Sequence, residues 1–503
     1  MGADLLLAID QGTTGTTALV LDTLGNTRGR ATREFPQHFP RPGLVEHDPA
    51  EIWQSVLDSV AGALAAASIT GEKIAAIGIT NQRETTLVWD RATDAPIHNA
   101  IVWQDRRTAD ICAHLRESGH EEAVKKTTGL VLDPYFSGTK LAWILDNVDG
   151  ATERANRGEL AFGTVDSYLV YRLSGGAKGG SPVHATDVTN ASRTLLMSLD
   201  TLDWDPAMLE LFRAPRSMLP KICDSAGLIA KTIGFPHLPD GTPITGIAGD
   251  QQAALFGQAC FDVGDAKCTY GTGAFVLVNT GKQAVASRFG LLTTVGWKIG
   301  GDVVFALEGS AFVAGAAVQW LRDGLGIIKN AADVEALARS VPSSEGVSFV
   351  PALSGLGAPY WDADARGVIC GITRGTTAAH IARATIEGVA LSVTDLLLAM
   401  GDDLGKPLGR MRVDGGAANN NLLLQHQADT ADITIERPME LESTARGAAM
   451  LAGVGAGLFP NVADSARMSK VEHTFGRAMS NEERQAHLSR WADAVRRTRG
   501  PLG

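Results

Sequence analysis

Leu5-Leu-Leu-Ala-Ile-Asp-Gln-Gly-Thr-Thr-Gly-Thr-Thr-Ala-Leu-Val-Leu-Asp22 is two apolar, β-type runs joined by a Gly/Thr turn, with an acid, Asp10, at the exit of the first. A strand that stops at Asp-Gln-Gly-Thr-Thr-Gly predicts a tight hairpin whose backbone N–H groups and hydroxyls can close around phosphate oxygens. A Walker A loop is excluded: it needs a Lys after its glycines and opens a helix, whereas here the chain returns as a strand. Taken alone, these residues also fit an ordinary hairpin with an Asx turn at Asp10.

The rest of the chain sets the scale. Its 503 residues exceed one ordinary core and predict two domains of roughly 250 residues each. With 45% hydrophobic and 20% charged residues the chain is globular, and its 56 glycines predict many tight turns and close backbone approaches. A net charge of −11 without a dense Lys/Arg block argues against a nucleic-acid groove or an anionic membrane surface. No run of about 18 uninterrupted apolar residues occurs and the N-terminus has no charged leader, so no integral membrane association and a cytoplasmic location are expected. Five scattered cysteines (Cys112, Cys223, Cys260, Cys268, Cys370) form no C-x-x-C and read as free thiols. His47, His98, His184, His380 and the other histidines show no metal-ligand spacing and read as surface or structural residues.

Further along, Asp48 as N-cap, Pro49 at the first helical position and Glu51 at the third predict a helix, with Ile52, Val56, Val60 and Leu64 as one apolar stripe. Ile74–Thr80 is a buried strand that delivers Asn81-Gln-Arg-Glu84 at its carboxyl end, where α/β sheets place binding groups, and a second strand is expected from Thr85 to Trp89. Residues 174–182 read as a mobile surface loop. Near the middle, Ile244–Gly249 again ends in Asp-Gln at Asp250-Gln251, and Thr269-Tyr-Gly-Thr-Gly273 supplies a second Gly/Thr turn. This recurrence predicts two related lobes, 1–254 and 255–503, each offering one hairpin to a shared cleft. Met411-Arg-Val-Asp-Gly-Gly416 is a third backbone-exposing turn.

These residues resemble the superfamily of actin, heat-shock chaperone and sugar kinase ATPases, and within it the FGGY carbohydrate kinases. Tyr135–Asn147 and Gly367–Glu387 are similar to the two family signatures. VEHDP at Val45–Pro49, GITNQRET at Gly78–Thr85, AIVWQ at Ala100–Gln104, GIAGDQQAALFGQ at Gly246–Gln258, YGTG at Tyr270–Gly273 and LSGLGAPYWD at Leu353–Asp362 resemble the members that act on glycerol, in the same order from about residue 5 to 460. The resemblance implies an α/β fold of two ribonuclease-H-like, actin-like lobes that close on ATP and Mg²⁺. It also implies transfer of the γ-phosphoryl group to glycerol, giving sn-glycerol 3-phosphate and ADP. Glycerol and ATP are the expected partners, and the expected assembly is a homodimer or homotetramer.

The same resemblance assigns roles. Asp250, which on its own could be a helix N-cap, is the implied general base, and Asp10 the implied Mg²⁺ ligand. Arg83 and Glu84 are the implied glycerol-binding pair, one donating and one accepting, with Gln251 beside Asp250. Trp103 and Phe275 would wall the carbon backbone, and Tyr135 would offer its hydroxyl. Thr13, Thr14, Gly15 and Thr272 fall where the family contacts ATP phosphates, and Gly315, Gln319, Gly416 and Asn420 where it cradles ribose and adenine.

Two departures stand out. Bacterial members that act on glycerol continue the first hairpin Thr-Thr-Ser-Ser-Arg, whereas this chain has Thr17 at the Arg position. A Gly-Gly-Lys-Gly-Gly-Thr-Arg loop that binds fructose 1,6-bisphosphate in some members is replaced by Gly234–Thr242, without its Lys or Arg, so insensitivity to that sugar bisphosphate is expected. Beyond Asn461 the match is poor, and contact with a phosphotransferase partner is not carried over.

Overall fold

The computed structural model describes residues 4–499; the outer ends of the expected lobes, 1 and 503, lie outside the described residues. The first hairpin forms as expected: β1 (Leu5–Gln11) pairs antiparallel with β2 (Gly15–Leu21), which pairs with β3 (Thr27–Glu34). β4 (Ile74–Asn81) lies parallel to β1, while β5 (Ala226–Lys231) runs antiparallel to β6 (Pro243–Gly249), itself parallel to β4. Around this sheet the chain sets α1 (Pro49–Ala66), α2 (Ser137–Asn147), the short α3 (Val188–Ala191) and α4 (Asp250–Gly257).

The second half repeats the plan with β7 (Asp265–Tyr270), β8 (Ala274–Gly281), β9 (Leu292–Ile299), β10 (Asp302–Ala311), β11 (Arg410–Asp414), β12 (Thr434–Pro438) and β13 (Val471–Phe475). The two halves carry the same run of neighbours, β3-β2-β1-β4-β6 and β10-β8-β7-β11-β12, with the additional strands β5 and β9 between them at the junction. A single parallel contact, Ala226 to Ile299, joins the halves into one 13-stranded sheet. Its helices are α5 (Gly315–Asp323), α6 (Asp333–Arg339), α7 (Ala378–Leu404), α8 (Asn421–Ala431), α9 (Ser443–Gly455) and α10 (Asn481–Thr498).

The inner strands β1, β2, β4 and β6 are largely apolar because both their faces are covered. Leu7, Ile9, Ala18 and Val20 pack with Ile52, Val56, Val60 and Leu64 of α1, whose Asp48 cap accepts the Ala50 N–H at 2.8 Å. Leu6, Ala8, Leu19 and Leu21 point the other way, to Leu255 and Phe256 of α4 and Ala445 to Ala452 of α9. Although α9 follows the expected boundary by almost 200 residues in sequence, it lies across β1, β4 and β6 of the first half. Its approach explains some of the glycine count: a Cβ on Gly78 would stand 2.1 Å from the Ala448 carbonyl oxygen, and one on Gly246 2.4 Å from the Ala452 nitrogen. The boundary expected at 254/255 falls inside α4. α7 is long and apolar enough to cross a membrane, yet 78% of its apolar window is buried inside the protein.

Three local expectations need correction. The strand after Glu84 is Leu87–Asp90, not Thr85–Trp89, and it pairs with Leu160–Gly163 off the main sheet. Thr85 is consumed by a bend about Glu84, whose φ is +62° and over which the Thr85 N–H donates to the Arg83 carbonyl at 2.7 Å, and Thr86 forms an isolated bridge with Ile101. Within 174–182, Gly176–Gly179 is a 3₁₀ turn tied down by the Ala177 N–H on Asp94 Oδ1 at 2.7 Å. The internal repeat is real but its register is not Asp10 with Asp250. The hairpin β1–β2 corresponds to β7–β8, and Asp250 follows β6, the last strand of the first lobe.

Candidate active site

The ends of β1, β4, β6 and β7 meet at one cleft, so every charged residue that the sequence places at a strand exit arrives there. The first hairpin is closed by the Gly12 N–H on the Gly15 carbonyl at 2.9 Å and braced from β4. Gln82 donates through Nε2 to Gln11 Oε1 at 3.1 Å and the Gly12 carbonyl at 3.2 Å, and accepts from the Thr85 hydroxyl at 2.8 Å. Buried His47 stands 3.4 Å from the same Nε2 and 2.6 Å from Gln37 Oε1, and burial holds its pKa down at about 4. Trp103 closes the frame: its indole N–H donates to Thr13 Oγ1 at 3.0 Å, and its ring meets Tyr135 edge-on at 5.6 Å between centroids. Thr14 and Gly15 complete the turn, Gly15 lying so close to β3 that a Cβ would meet the Arg33 carbonyl oxygen at 2.7 Å.

Below this frame lies a buried ionic network. Arg83, only 3% exposed, clasps Glu308 of β10 through Nη1 at 2.5 Å and Nη2 at 3.1 Å. It also donates to Gln252 Oε1 at 3.3 Å and the Tyr135 hydroxyl at 3.5 Å, and its Nε sits 3.1 Å from Asp250 Oδ1. Arg193, just past α3, donates through Nε to Glu84 Oε1 at 2.6 Å and through Nη2 to Glu308 Oε1 at 2.9 Å, with its guanidinium over the Tyr135 and Phe136 rings. Burial pushes Glu308 up, but Arg193 and Arg83 outweigh it and bring its pKa to about 2. At Glu84 burial wins and the pKa is raised. Two guanidiniums thus face two carboxylates across the junction of the lobes, an arrangement that fixes geometry more than it adds stability.

At the mouth of the network, Asp250 opens α4, with Gly249 and not Asp250 as its N-cap. Both protein contacts of the carboxylate fall on Oδ1, from the Gln251 N–H at 2.7 Å and Arg83; among the described residues Oδ2 has no protein partner and is left for a ligand. Asp10 is half-buried across the cleft. Burial first, then the charges of Asp250 and Glu442, push its pKa to about 8 despite Arg30. A group of hard carboxylate oxygens with too little positive charge fits a divalent ion such as Mg²⁺. Gln251 receives Lys267 Nζ on its Oε1; this lysine of β7 is fully buried and also donates to Thr269 Oγ1 at 3.0 Å.

The nucleotide-side residues gather beyond the second hairpin. Thr272, Gly315, Gln319, Gly416 and Asn420 all line one cavity of about 420 Å³ between α5, α6, α7 and α8, together with Val318, Ile386, Val389 and Leu423. Gly315 must be glycine, since a Cβ would lie 2.6 Å from the Gly271 carbonyl oxygen. Asn420 caps α8, its Oδ1 accepting the Leu423 N–H at 3.0 Å. A mostly apolar slot with two helix N-termini beside it suits a flat base and a sugar-phosphate. The residues expected on the glycerol and phosphate side stand around Arg83 and the first hairpin, and those expected to cradle the nucleotide line this cavity. Phe275, half-buried on β8, pairs with Thr269 of β7 and Ser310 of β10, two residues from Lys267 and from Glu308.

Sequence reasoning missed Glu308, Arg193, Lys267 and Gln252. Glu308 and Lys267 are single charges inside apolar strands, VVFALEGSA and DAKCTY, where a charge is costly unless paired; that was the available signal. Arg193 and Gln252 carry no such mark.

The sequence profile of the FGGY family of carbohydrate kinases matches here, its N-terminal domain over residues 5–257 and its C-terminal domain over residues 266–456. A glycerol kinase of Myxococcus xanthus is 54% identical over 497 residues, covering 98% of this chain and 99% of its own. One from Deinococcus radiodurans is 55% identical, covering 98% and 97%. Among solved structures, Plasmodium falciparum glycerol kinase with ADP superposes with a TM-score of 0.93 at 36% identity over 99% of each chain. A gluconate kinase of Lactobacillus acidophilus shares the fold, with a TM-score of 0.86 at 22% identity over 98% of this chain and 96% of that one.

Proposed function

The chain belongs to the FGGY family of carbohydrate kinases, and from that premise we propose that it transfers the γ-phosphoryl group of ATP to a terminal hydroxyl of glycerol. The observation that carries the reading is Asp250: its Oδ1 is fixed by Arg83 and the Gln251 N–H while Oδ2 faces the cleft unpartnered, opposite Asp10. Glycerol lies between Trp103, Tyr135 and the Arg83–Glu84 pair, its small carbon chain against the two rings. Oδ2 accepts the proton of the reacting hydroxyl, whose oxygen bonds to the γ-phosphorus as the bond to the β,γ-bridging oxygen breaks and ADP leaves. The hairpins at Thr13–Gly15 and Thr272 hold the phosphates through backbone N–H groups and hydroxyls, and the 420 Å³ cavity takes the adenosine. Asp10 would hold Mg²⁺, which supplies neutralisation of phosphate charge when bound. Closure of the two lobes, hinged on the buried clasp of Glu308 with Arg83 and Arg193, excludes water from the reacting phosphate.

Glu84 Oε1 is taken by Arg193, so the substrate is read by Oε2 and by Arg83 in exchange for its long 3.5 Å contact to the Tyr135 hydroxyl, a compact set that matches a three-carbon polyol better than a pentulose. A substrate panel with ATP and Mg²⁺ tests this. Glycerol should be phosphorylated with the highest kcat/KM; preference for a pentulose or gluconate would overturn the assignment.

A further inference from the structure

Away from the cleft, three helices of the second lobe bring metal-binding side chains to one point: Glu387 of α7, His426 of α8 and His487 of α10 offer ligand atoms that all lie within 4.8 Å of one another. They are 39 and 61 residues apart in sequence, which is why the spacing of histidines gave no sign of them. The two imidazoles meet edge-on, with centroids 5.2 Å apart.

We propose that this cluster is a zinc site which fastens the C-terminal helix α10 to α7 and α8. Three observations carry it. His426 is 4% exposed and its Nε2 has no hydrogen-bond partner, a costly condition for a buried ring nitrogen that a metal removes. Glu387 is held as an outer shell holds a ligating carboxylate, Oε1 by Arg383 Nε at 2.7 Å and Oε2 by the Ser344 hydroxyl at 2.8 Å. The donor set, two imidazoles and one carboxylate, is the borderline set that Zn²⁺ binds with a water in the fourth position.

Bonds of roughly 2.1 Å need ligand atoms roughly 3.4 Å apart. Half-buried His487, near the end of the chain, closes that difference by turning about its side-chain bonds. The site is separate from catalysis but not remote from it: Ile386 and Val389 of α7 and Leu423 of α8 line the nucleotide cavity on the other side of the same helices.

The test uses the full-length enzyme, stripped of metal with a chelator and titrated calorimetrically with Zn²⁺ alone, without nucleotide or Mg²⁺. One saturable Zn²⁺ per chain is expected, with a rise in Tm. His487→Gln and His426→Gln should each weaken binding by more than the ~10–100-fold typical of outer-shell losses, and abolish the Tm rise. His487→Gln should keep its turnover of glycerol. Absence of a stoichiometric site in the wild type overturns the proposal. So does unchanged affinity in His487→Gln, which would place the ion elsewhere, for example at Asp10.

Discussion

Replacing Glu308 by glutamine keeps the shape of the side chain and removes the charge on which the lobe junction turns. Glu308 accepts three charge-assisted hydrogen bonds, at 2.5 and 3.1 Å from Arg83 and 2.9 Å from Arg193. A glutamine offers one acceptor oxygen and turns its amide N–H₂ toward a guanidinium, leaving two buried arginines against Glu84 and the half-exposed Asp250. Breaking one partner of a buried ion pair costs about 3–5 kcal/mol. The depressed pKa gives a figure of the same size, since a fall from 4.5 to about 2 at about 1.4 kcal/mol per unit is about 3 kcal/mol. Because the folded-state value lies below the unfolded one, this stabilisation is complete above pH 4.5 and fades as pH falls toward 2. Guanidinium unfolding followed by tryptophan fluorescence at pH 7 should thus show Glu308→Gln less stable by about 3 kcal/mol. The gap to wild type should shrink at lower pH. With Arg83 unmoored, kcat/KM for glycerol should fall on the order of 100-fold. A variant within 1 kcal/mol of wild type at pH 7, with normal kinetics, would refute the claim that this clasp positions Arg83.

Gly315→Ala drives a methyl group into the Gly271 carbonyl and so shifts the second hairpin, and KM for ATP should rise roughly 10-fold while KM for glycerol stays put. Thr17 pairs in register with Asp10, and its hydroxyl meets that of Thr32 at 2.9 Å. Thr17→Arg should therefore lower KM for ATP by about 10-fold through a charge-assisted bond to phosphate, and steady-state kinetics at varied ATP would show it. The Gly234–Thr242 turn holds Asp240 on the Gly234 N–H at 2.6 Å and offers no cation, so fructose 1,6-bisphosphate at millimolar concentration should leave the rate unchanged; inhibition would contradict that reading.

What the sequence made legible was local. Asp10, Arg83, Glu84 and Asp250 each end an apolar strand, and a charge at that place has one destination in an α/β sheet, the crevice at the carboxyl ends. The order of motifs then carried the family and the nucleotide residues, of which Thr272, Gly315, Gln319, Gly416 and Asn420 line a single cavity. What stayed hidden was tertiary. Glu308 reaches Arg83 across 225 residues, and nothing beside it in β10 names a partner. The Asp10/Asp250 repeat misled because two strand exits of one lobe can carry the same dipeptide, whereas the duplicated unit is the hairpin β1–β2 with β7–β8. Thr85–Trp89 reads as strand by propensity, but the left-handed backbone at Glu84 and the Thr85–Gln82 hydrogen bond turn its first residue into a bend.

The central claim is that Asp250 takes the proton of glycerol. Its most direct test is the coupled rate of ADP release with ATP, Mg²⁺ and glycerol for Asp250→Asn, an isosteric change that leaves the Oδ1 contacts a partner. Loss of a general base predicts a fall in kcat of about 10²–10⁴-fold with KM for ATP close to wild type. Turnover within a few-fold of wild type would contradict the account.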